Sequence, residues 1–479
     1  MSREIRGTFR VGVSREDITP EAGIQLSGYS VRVGPSLAVQ APLTLTALVV
    51  EGGNGARVAI LALDWIAAFV PFVSVLRQRC ASALGVAAKD VLINFSHSHS
   101  TPTPPGWSPY GAEKDLIRQE EWAKQVADAA VRACVRAASE LRPGRIATGW
   151  GECRANVNRR QRMDDGAVLL GEDPTGPSDH GVGVARIDDL EGRPIALVYR
   201  FSCHTVTLGP RTNAVSPDFI GPARSLIESQ FGCCSLFLQG CAGNQNPVTG
   251  IGQDAEGCED TVRIGQMLGG EVVKVAAGLR THRRRRQPRL VRSIAVYWLF
   301  EYEAIPVDPP GTVYGEEVQL SLPLVPLPPA CELLAEVEDC RRRLRVAADQ
   351  GVSDADRSVS ERFLFWAERR VEVARGGPDA LRVNFPVQCL RIGSWTVLGL
   401  PFEPMAETGE RLRASSPGGE AWILGYSNGV VSYLPTPEVS AEGGMEAKLG
   451  YKAFLLPSEV PGSWEPIICA EALKMMRRS

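Results

Sequence analysis

No stretch of this 479-residue sequence approaches the roughly 18 uninterrupted apolar positions that a membrane-spanning helix needs. The N-terminal MSREIRGTFRVGVSREDITP also lacks the apolar core of a secretory leader, so the chain is expected to be cytoplasmic and without stable membrane association. Neither sign of charge is in excess: 52 Lys and Arg against 55 Asp and Glu leave a net charge of -3, which gives no general pull toward nucleic acid. CxxC pairs are absent, and the 12 cysteines are scattered along a chain long enough to bury a core without disulfide staples. Reduced, mostly buried thiols are expected. HExxH and zinc-finger spacings are missing too, as are internal repeats and any linker that would divide the chain. Histidine is scarce, with 5 residues, yet two of them stand with a single residue between them in INFSHSHS, as His97 and His99.

What is present is an α/β alternation in a chain that is 44% hydrophobic. LTLTALVVEG, RVAILALDW and KDVLINFSHSHS read as strands, FVSVLRQRCASALG and a segment from about Glu120 to Glu140 as helices. Strand signals recur in RIATGWGE, VARIDD and PIALVYRFSCHTVTLGP, followed by a helix in ARSLIESQFG, a strand entering a turn in CSLFLQGCAGNQNP, and a helix in CEDTVRIGQMLGGEVVKVAAGLR. Residues 301–330 read as a proline-rich loop, CELLAEVEDCRRRLRVAADQ and SERFLFWAERRVEVARG as a helical hairpin, and FPVQCLRIGSWTVLGLPFEP as renewed strand. The expected architecture is a layered mixed β-sheet core with flanking helices. Arg283 to Arg286 form a basic run whose charge suits a solvated connector better than a phosphate patch.

Alternate side chains of a strand share a face, so His97 and His99 are expected to point to one side. Two facing imidazoles suit a metal, or a metal for one ring and a substrate for the other, better than a plain core. His204, in FSCHTVTLGP, ends a second strand, and open α/β sheets collect functional groups at strand ends. Glu403, set between prolines after the apolar run GLPFEP, is a candidate further ligand. Asp64, in LALDW, reads as a structural or capping carboxylate.

RVGVSREDITP, LSGYS, INFSHSHS, ANVNRR, CHTV with SPDFIGPA, FLQGCAGNQNP, GLPFEPMAETGERL and YSNGVVSYLPTPEVSAEGGME occur in the order found in neutral, non-lysosomal ceramidases. The chain resembles the N-terminal catalytic domain of that family along nearly its whole length, thinly between about 285 and 385. The resemblance implies one ceramidase-like domain over residues 1–479, with residues 290–385 divergent and partly helical, and no C-terminal immunoglobulin-like domain. It also implies an amide hydrolase holding Zn2+ through His97, His204, Glu403 and Tyr433. His99 would face the substrate or handle protons, Arg159 would hold a carbonyl or carboxylate oxygen, and the backbone at Gly28 would line the pocket. Asp218 would orient His204. A thiolate ligand from Cys203 or Cys241 is a minor alternative.

Two site positions depart from the family pattern. Asn246 stands where the ceramidases carry a serine, and it cannot act as a nucleophile. Met445 stands where they carry a second tyrosine. Both belong to the substrate side, as does TPTPPGW after His99, in place of a glycine-rich continuation. The expectation is therefore hydrolysis of a linear N-acyl bond in a soluble small molecule by a metal-activated water. An acyltransferase or a cyclase forming an amide or lactam, and a non-catalytic metal- or ligand-binding protein, are the alternatives. A homo-oligomer is possible. Glu446 is expected to be a surface carboxylate rather than a substitute acid or base.

Overall fold

The computed structural model describes residues 3–4, 7–107, 113–252, 258–281, 286–303, 309–349 and 354–478. Arg283 to Arg285, most of the basic run, lie outside them. The strands of the larger sheet are β1 (Phe9–Asp17), β2 (Thr44–Glu51), β3 (Arg57–Leu63), β4 (Val91–Phe95), β5 (Arg142–Glu152), β6 (Gly181–Asp189), β7 (Pro194–Phe201) and β8 (Cys234–Gln239). Their order is β8-β7-β6-β5-β1-β2-β3-β4, and the short strand Arg3–Glu4 pairs with β5. The centre of the sheet is antiparallel; the outermost pairs, β7 with β8 and β3 with β4, are parallel.

Parallel neighbours need a crossover, and helices supply both. Helix α1 (Val70–Leu84) joins β3 to β4, with Pro71 in its first turn and Gly85 closing it at φ 68°. Two further helices are α2 (Glu113–Ser139) and α3 (Ile220–Phe231), of which α3 joins β7 to β8; α4 (Cys258–Gly278) follows. A second sheet consists of β9 (Val313–Pro323), β10 (Arg382–Ile392), β11 (Trp395–Gly399) and β12 (Trp422–Leu424), in that order. Helices α5 (Ala330–Asp349) and α6 (Asp354–Arg375) pair as a hairpin, and α7 (Trp464–Arg477) ends the described chain.

Strand alternation sets the layers. Leu45, Ala47 and Val49 of β2 face α1 and α2, while Leu48 and Val50 face the second sheet. Leu197, Tyr199 and Phe201 of β7 face α3 and α4, while Ala196 and Val198 turn toward Trp395, Trp422 and Leu424. On the far side, Phe385, Val387 and Cys389 of β10 pack on Trp464, Ile468 and Met476 of α7. The order is helix, sheet, sheet, helix, a mixed α/β fold of the class expected. One expectation fails: residues 301–330 are not all loop, because β9 runs through them. Its Val318, Leu320 and Leu322 alternate with polar residues and pack on the α7 core, and the prolines fall on either side of the strand and at its last residue; residues 304–308 lie outside the described set.

The sheet curls until its two edge strands meet at one end. The backbone N–H of Gln239, the last residue of β8, donates to Asn94 Oδ1 of β4 at 2.7 Å, and Asn94 Nδ2 donates to Gly425 O at 2.9 Å. Asp64, just beyond β3, accepts from Arg224 of α3 at 2.7 and 2.8 Å and from the backbone and hydroxyl of Thr44. It is a structural carboxylate, as its position after LAL suggested. Replacing it strands a buried guanidinium, so Asp64→Ala should cost about 3–5 kcal/mol in urea unfolding. Asp128→Ala, which breaks an exposed pair with Arg79, should cost less than about 1 kcal/mol.

Candidate functional site

His97 and His99 follow β4 rather than lie in it. The strand ends at Phe95, and His97 takes φ 64°, a left-handed conformation that turns the chain. Strand alternation therefore does not bring the two rings together: they meet through a turn, with Nε2 atoms 3.4 Å apart. His204 likewise lies beyond its strand, since β7 ends at Phe201. A parallel bridge, Ser98↔Thr205, joins the two loops, with His99 N donating to Thr205 O and Thr205 Oγ1 to Ser96 O. Gln239 locks them from below, its Nε2 donating to Ser96 O at 3.1 Å and to Cys203 O at 2.7 Å.

The tautomers follow from the backbone. His97 Nδ1 lies 2.8 Å from Ile66 O and His204 Nδ1 lies 2.7 Å from Ala242 O. Carbonyls only accept, so both Nδ1 atoms carry the proton and both Nε2 atoms present lone pairs. These lone pairs face Glu403 Oε2, at 3.4 Å from His97 and 3.1 Å from His204. Burial pushes His97 down to about 4, against the opposing pull of Glu403, and pushes His99 and His204 well below the usual histidine range. The imidazoles are thus neutral at pH 7. One ligand atom from each of His97, His99 and His204 lies within 4.8 Å of the others, so this buried group could hold a metal ion. Of the two remaining histidines, His180 hydrogen-bonds Asn156, and His282 lies outside the described residues.

Glu403 and Tyr433 are register partners in a pair of two-residue parallel strands, Glu403–Pro404 and Tyr433–Leu434. Arg159, on the strand Asn156–Arg162, reaches from the other side. Its Nη2 donates to Tyr433 Oη at 3.2 Å, its Nη1 lies 3.2 Å from His204 Nε2 and 3.5 Å from Asn246 Oδ1, and its Nε donates to Glu446 at 3.0 Å. Burial works against the Arg159 charge, but Tyr433, Glu446 and Glu403 outweigh it and keep the guanidinium protonated.

Glu446 is therefore not a surface carboxylate. It is 3% exposed and spans Arg159 and Arg160, the latter at 2.6 Å. Burial disfavours its charge, yet the two arginines draw its pKa down. Asp218 does not orient His204 either: it accepts from Thr207 and from the backbone of Leu208 and Phe219, and so braces the loop beyond His204. Cys203 is a buried thiol that donates to the His204 carbonyl, and Cys241 is buried against Gly409. Neither thiol belongs to the metal-competent group found among the described residues.

Gly28, at φ 91°, lies against the His99 ring; a Cβ there would stand 2.3–2.5 Å from its Cγ, Cβ and Nδ1. Tyr29 meets that ring edge-on, and Arg32 donates to the carbonyls of His99 and Ser27, each at 2.7 Å. Met445 is partly buried against the cluster that holds Trp107, Tyr433 and Phe454, in which Phe454 touches both Trp107 and Tyr433. TPTPPGW thus reaches the site through Trp107. Sequence reasoning missed Tyr426, whose hydroxyl donates to Glu403 Oε2 at 3.1 Å and whose ring lies 4.4 Å from that of His97. Its setting in the turn sequence GYSNG was the available signal, since an aromatic at φ 49° is a costly choice for a surface turn.

Solved structures share this architecture. One described as a ceramidase complexed with C2 superposes with a TM-score of 0.68 at 18% identity, covering 98% of this chain and 75% of that one. The crystal structure of neutral ceramidase from Pseudomonas aeruginosa gives 0.65 at 19%, with the same coverage. In sequence, the Pseudomonas aeruginosa neutral ceramidase is 25% identical over 492 residues, 91% of this chain and 68% of that protein. Neutral ceramidase B of Dictyostelium discoideum is 26% identical over 262 residues, 52% of this chain and 35% of that protein. Fold and relatedness together define a hydrolase that acts on an amide bond. The family profile described as neutral/alkaline non-lysosomal ceramidase, N-terminal, matches residues 9–257, and the chain belongs to that family.

The close approach at Gly28 carries a direct expectation. Gly28→Ala adds a methyl where the His99 ring stands and imposes an unfavourable φ, so it should lower stability by roughly 1–3 kcal/mol in urea unfolding. A change below about 0.5 kcal/mol would mean that the ring moves aside freely.

Proposed function

We propose that the chain is a zinc-dependent amidase that hydrolyses a linear N-acyl bond of a soluble small molecule. One observation carries the reading: two buried imidazoles, their Nδ1 protons committed to backbone carbonyls, turn Nε2 lone pairs toward one carboxylate oxygen at 3.4 and 3.1 Å. Acceptors facing one another in a buried site repel unless a cation lies among them, and a nitrogen and oxygen donor set of this kind suits zinc. His97, His204 and Glu403 would hold the ion, with Tyr433 joining from the strand beside Glu403. Bound there, zinc supplies Lewis acidity toward a carbonyl oxygen and toward water.

The remaining steps belong to the chain's own groups. Arg159, charged and fixed by Glu446, offers Nη1 and Nη2 to the oxygen that gains negative charge as water adds to the carbonyl. His99, unprotonated and backed by Gly28, Tyr29 and Arg32, takes a proton from the attacking water and returns it to the leaving nitrogen. A C–O bond forms, the C–N bond breaks, and a carboxylic acid and an amine leave, the acid then giving its proton to the amine or to solvent. Asn246 steadies Arg159 and supplies no nucleophile, so water is the attacking group. Trp107, Phe454 and Met445 pack as one apolar group beside Tyr433.

Protein purified without added metal should carry about one zinc per chain and release acid and amine from short N-acyl amines. His97→Ala and His204→Ala should lose both metal and turnover while keeping the wild-type melting temperature within a few degrees. Arg159→Lys should retain the metal and lower kcat roughly 10²- to 10³-fold. Full activity in metal-free protein would sink the zinc assignment. Failure of oxygen from isotopically labelled water to enter the acid product would sink the hydrolytic one.

A further inference from the structure

The buried arginines of this chain are neutralised. Arg77, Arg159, Arg160, Arg200, Arg224 and Arg370 each pair with a carboxylate, from Glu317, Glu446, Asp179, Asp64 or Glu336. Arg32, half-buried beside the His99 loop, departs from that pattern. Its Nη1 donates to Ser27 O and His99 O, each at 2.7 Å, while its Nη2 reaches Gly209 O at 3.5 Å. Its Nε is buried, and among the described residues it has no hydrogen-bond partner and no carboxylate forms an ion pair with the guanidinium. Burial pushes Arg32 down to about 10, opposed by Tyr29, so the group stays charged at pH 7. A cation drawn out of water without a counter-charge is costly.

We propose that Arg32 receives a carboxylate carried by the amine half of the substrate, which makes the substrate an N-acyl amino acid. The proposal rests on the amidase reading for the reaction, though not for the binding. The Nε and Nη2 hydrogens of a guanidinium lie along one edge, at the spacing of two carboxylate oxygens. That is the edge the chain leaves underused, since the two short bonds both come from Nη1. The placement selects the amine half. The Tyr29 ring lies 5.0 Å from Arg32 Cζ and 4.9 Å from the His99 ring, so the cation stands on the side of the residue that returns a proton to the leaving nitrogen. Gly28, Ser30 and Val31 of the same loop are open to solvent, which gives a charged ligand a route in.

The test compares turnover of N-acetylglycine, N-acetyl-β-alanine and N-acetyl-γ-aminobutyrate with that of uncharged N-alkylacetamides of equal length, in the wild type, Arg32→Gln and Arg32→Lys. The wild type should favour the acids. Arg32→Gln should lower kcat/KM for the acids roughly 10- to 100-fold more than for the uncharged amides, the difference falling on KM, as loss of hydrogen bonds between charged groups implies. Arg32→Lys, which keeps the charge and loses the fork, should fall between. Equal losses in both series would reduce Arg32 to a brace for His99 and overturn the proposal. Calorimetric titration of the wild type with the three keto acids in which CH2 replaces the amide NH, against the matching uncharged ketones, reads binding apart from turnover. Keto acids bound no better than the ketones would overturn the proposal, and hydrolysis of the uncharged amides would leave the amidase reading standing. Keto acids bound through Arg32 with no amide cleaved would keep the carboxylate site and sink the amidase.

Discussion

The site depends on one side chain that is nowhere near the top of a list of catalytic residue types. Gln239 ends β8 at the edge of the sheet, and its amide donates to Ser96 O and Cys203 O, one carbonyl from each histidine-bearing loop. Its own backbone N–H is taken by Asn94 from the opposite edge. A buried amide with all its groups in use has one low-energy position. That position sets the spacing between His97 and His204, and the bridge Ser98↔Thr205 keeps the loops parallel above it.

Electrostatics then builds on that frame. His97 and His204 turn their acceptors toward Glu403 with His99 beside them, while Arg159 is the charged donor at their margin. A buried guanidinium needs a counter-charge, and Glu446 supplies it while also tying down Arg160. Glu446 is therefore what holds Arg159 in place. Gly28, Tyr29 and Arg32 do the same for His99 by contact and by hydrogen bonds to its carbonyl.

Much of this could be read from the residues alone, for reasons that differ by element. Strands such as β2 and β7 announce themselves because burial on both faces demands continuous apolar runs. The His pair stood out because histidine is scarce. Its geometry did not, since a left-handed turn at His97 replaces the strand that the spacing suggested. Glu446 and Asp218 were misjudged for a common reason. A carboxylate's role depends on which donors surround it: for Glu446 they come from Arg159 and Arg160 on a distant strand, and for Asp218 from Thr207, Leu208 and Phe219 within its own connection, which leaves none of it for His204. β9 was hidden among prolines because its partner, β10, is separated from it by the α5–α6 hairpin.

By itself the sequence determined the α/β class, the residues able to bind a metal or carry charge, and the ceramidase family to which they belong. These are matters of composition, local periodicity and motif order, and all are written along one dimension. Only the tertiary structure decided that the sheet curls until β4 meets β8, that His97 and His204 aim lone pairs at one oxygen, and that Glu446 lies beneath Arg159. Those arrangements rest on hydrogen bonds between residues distant in the sequence, such as Gln239 with Asn94, Arg159 with Glu446 and His97 with Ile66. Direction and partner exist only once the chain has closed on itself.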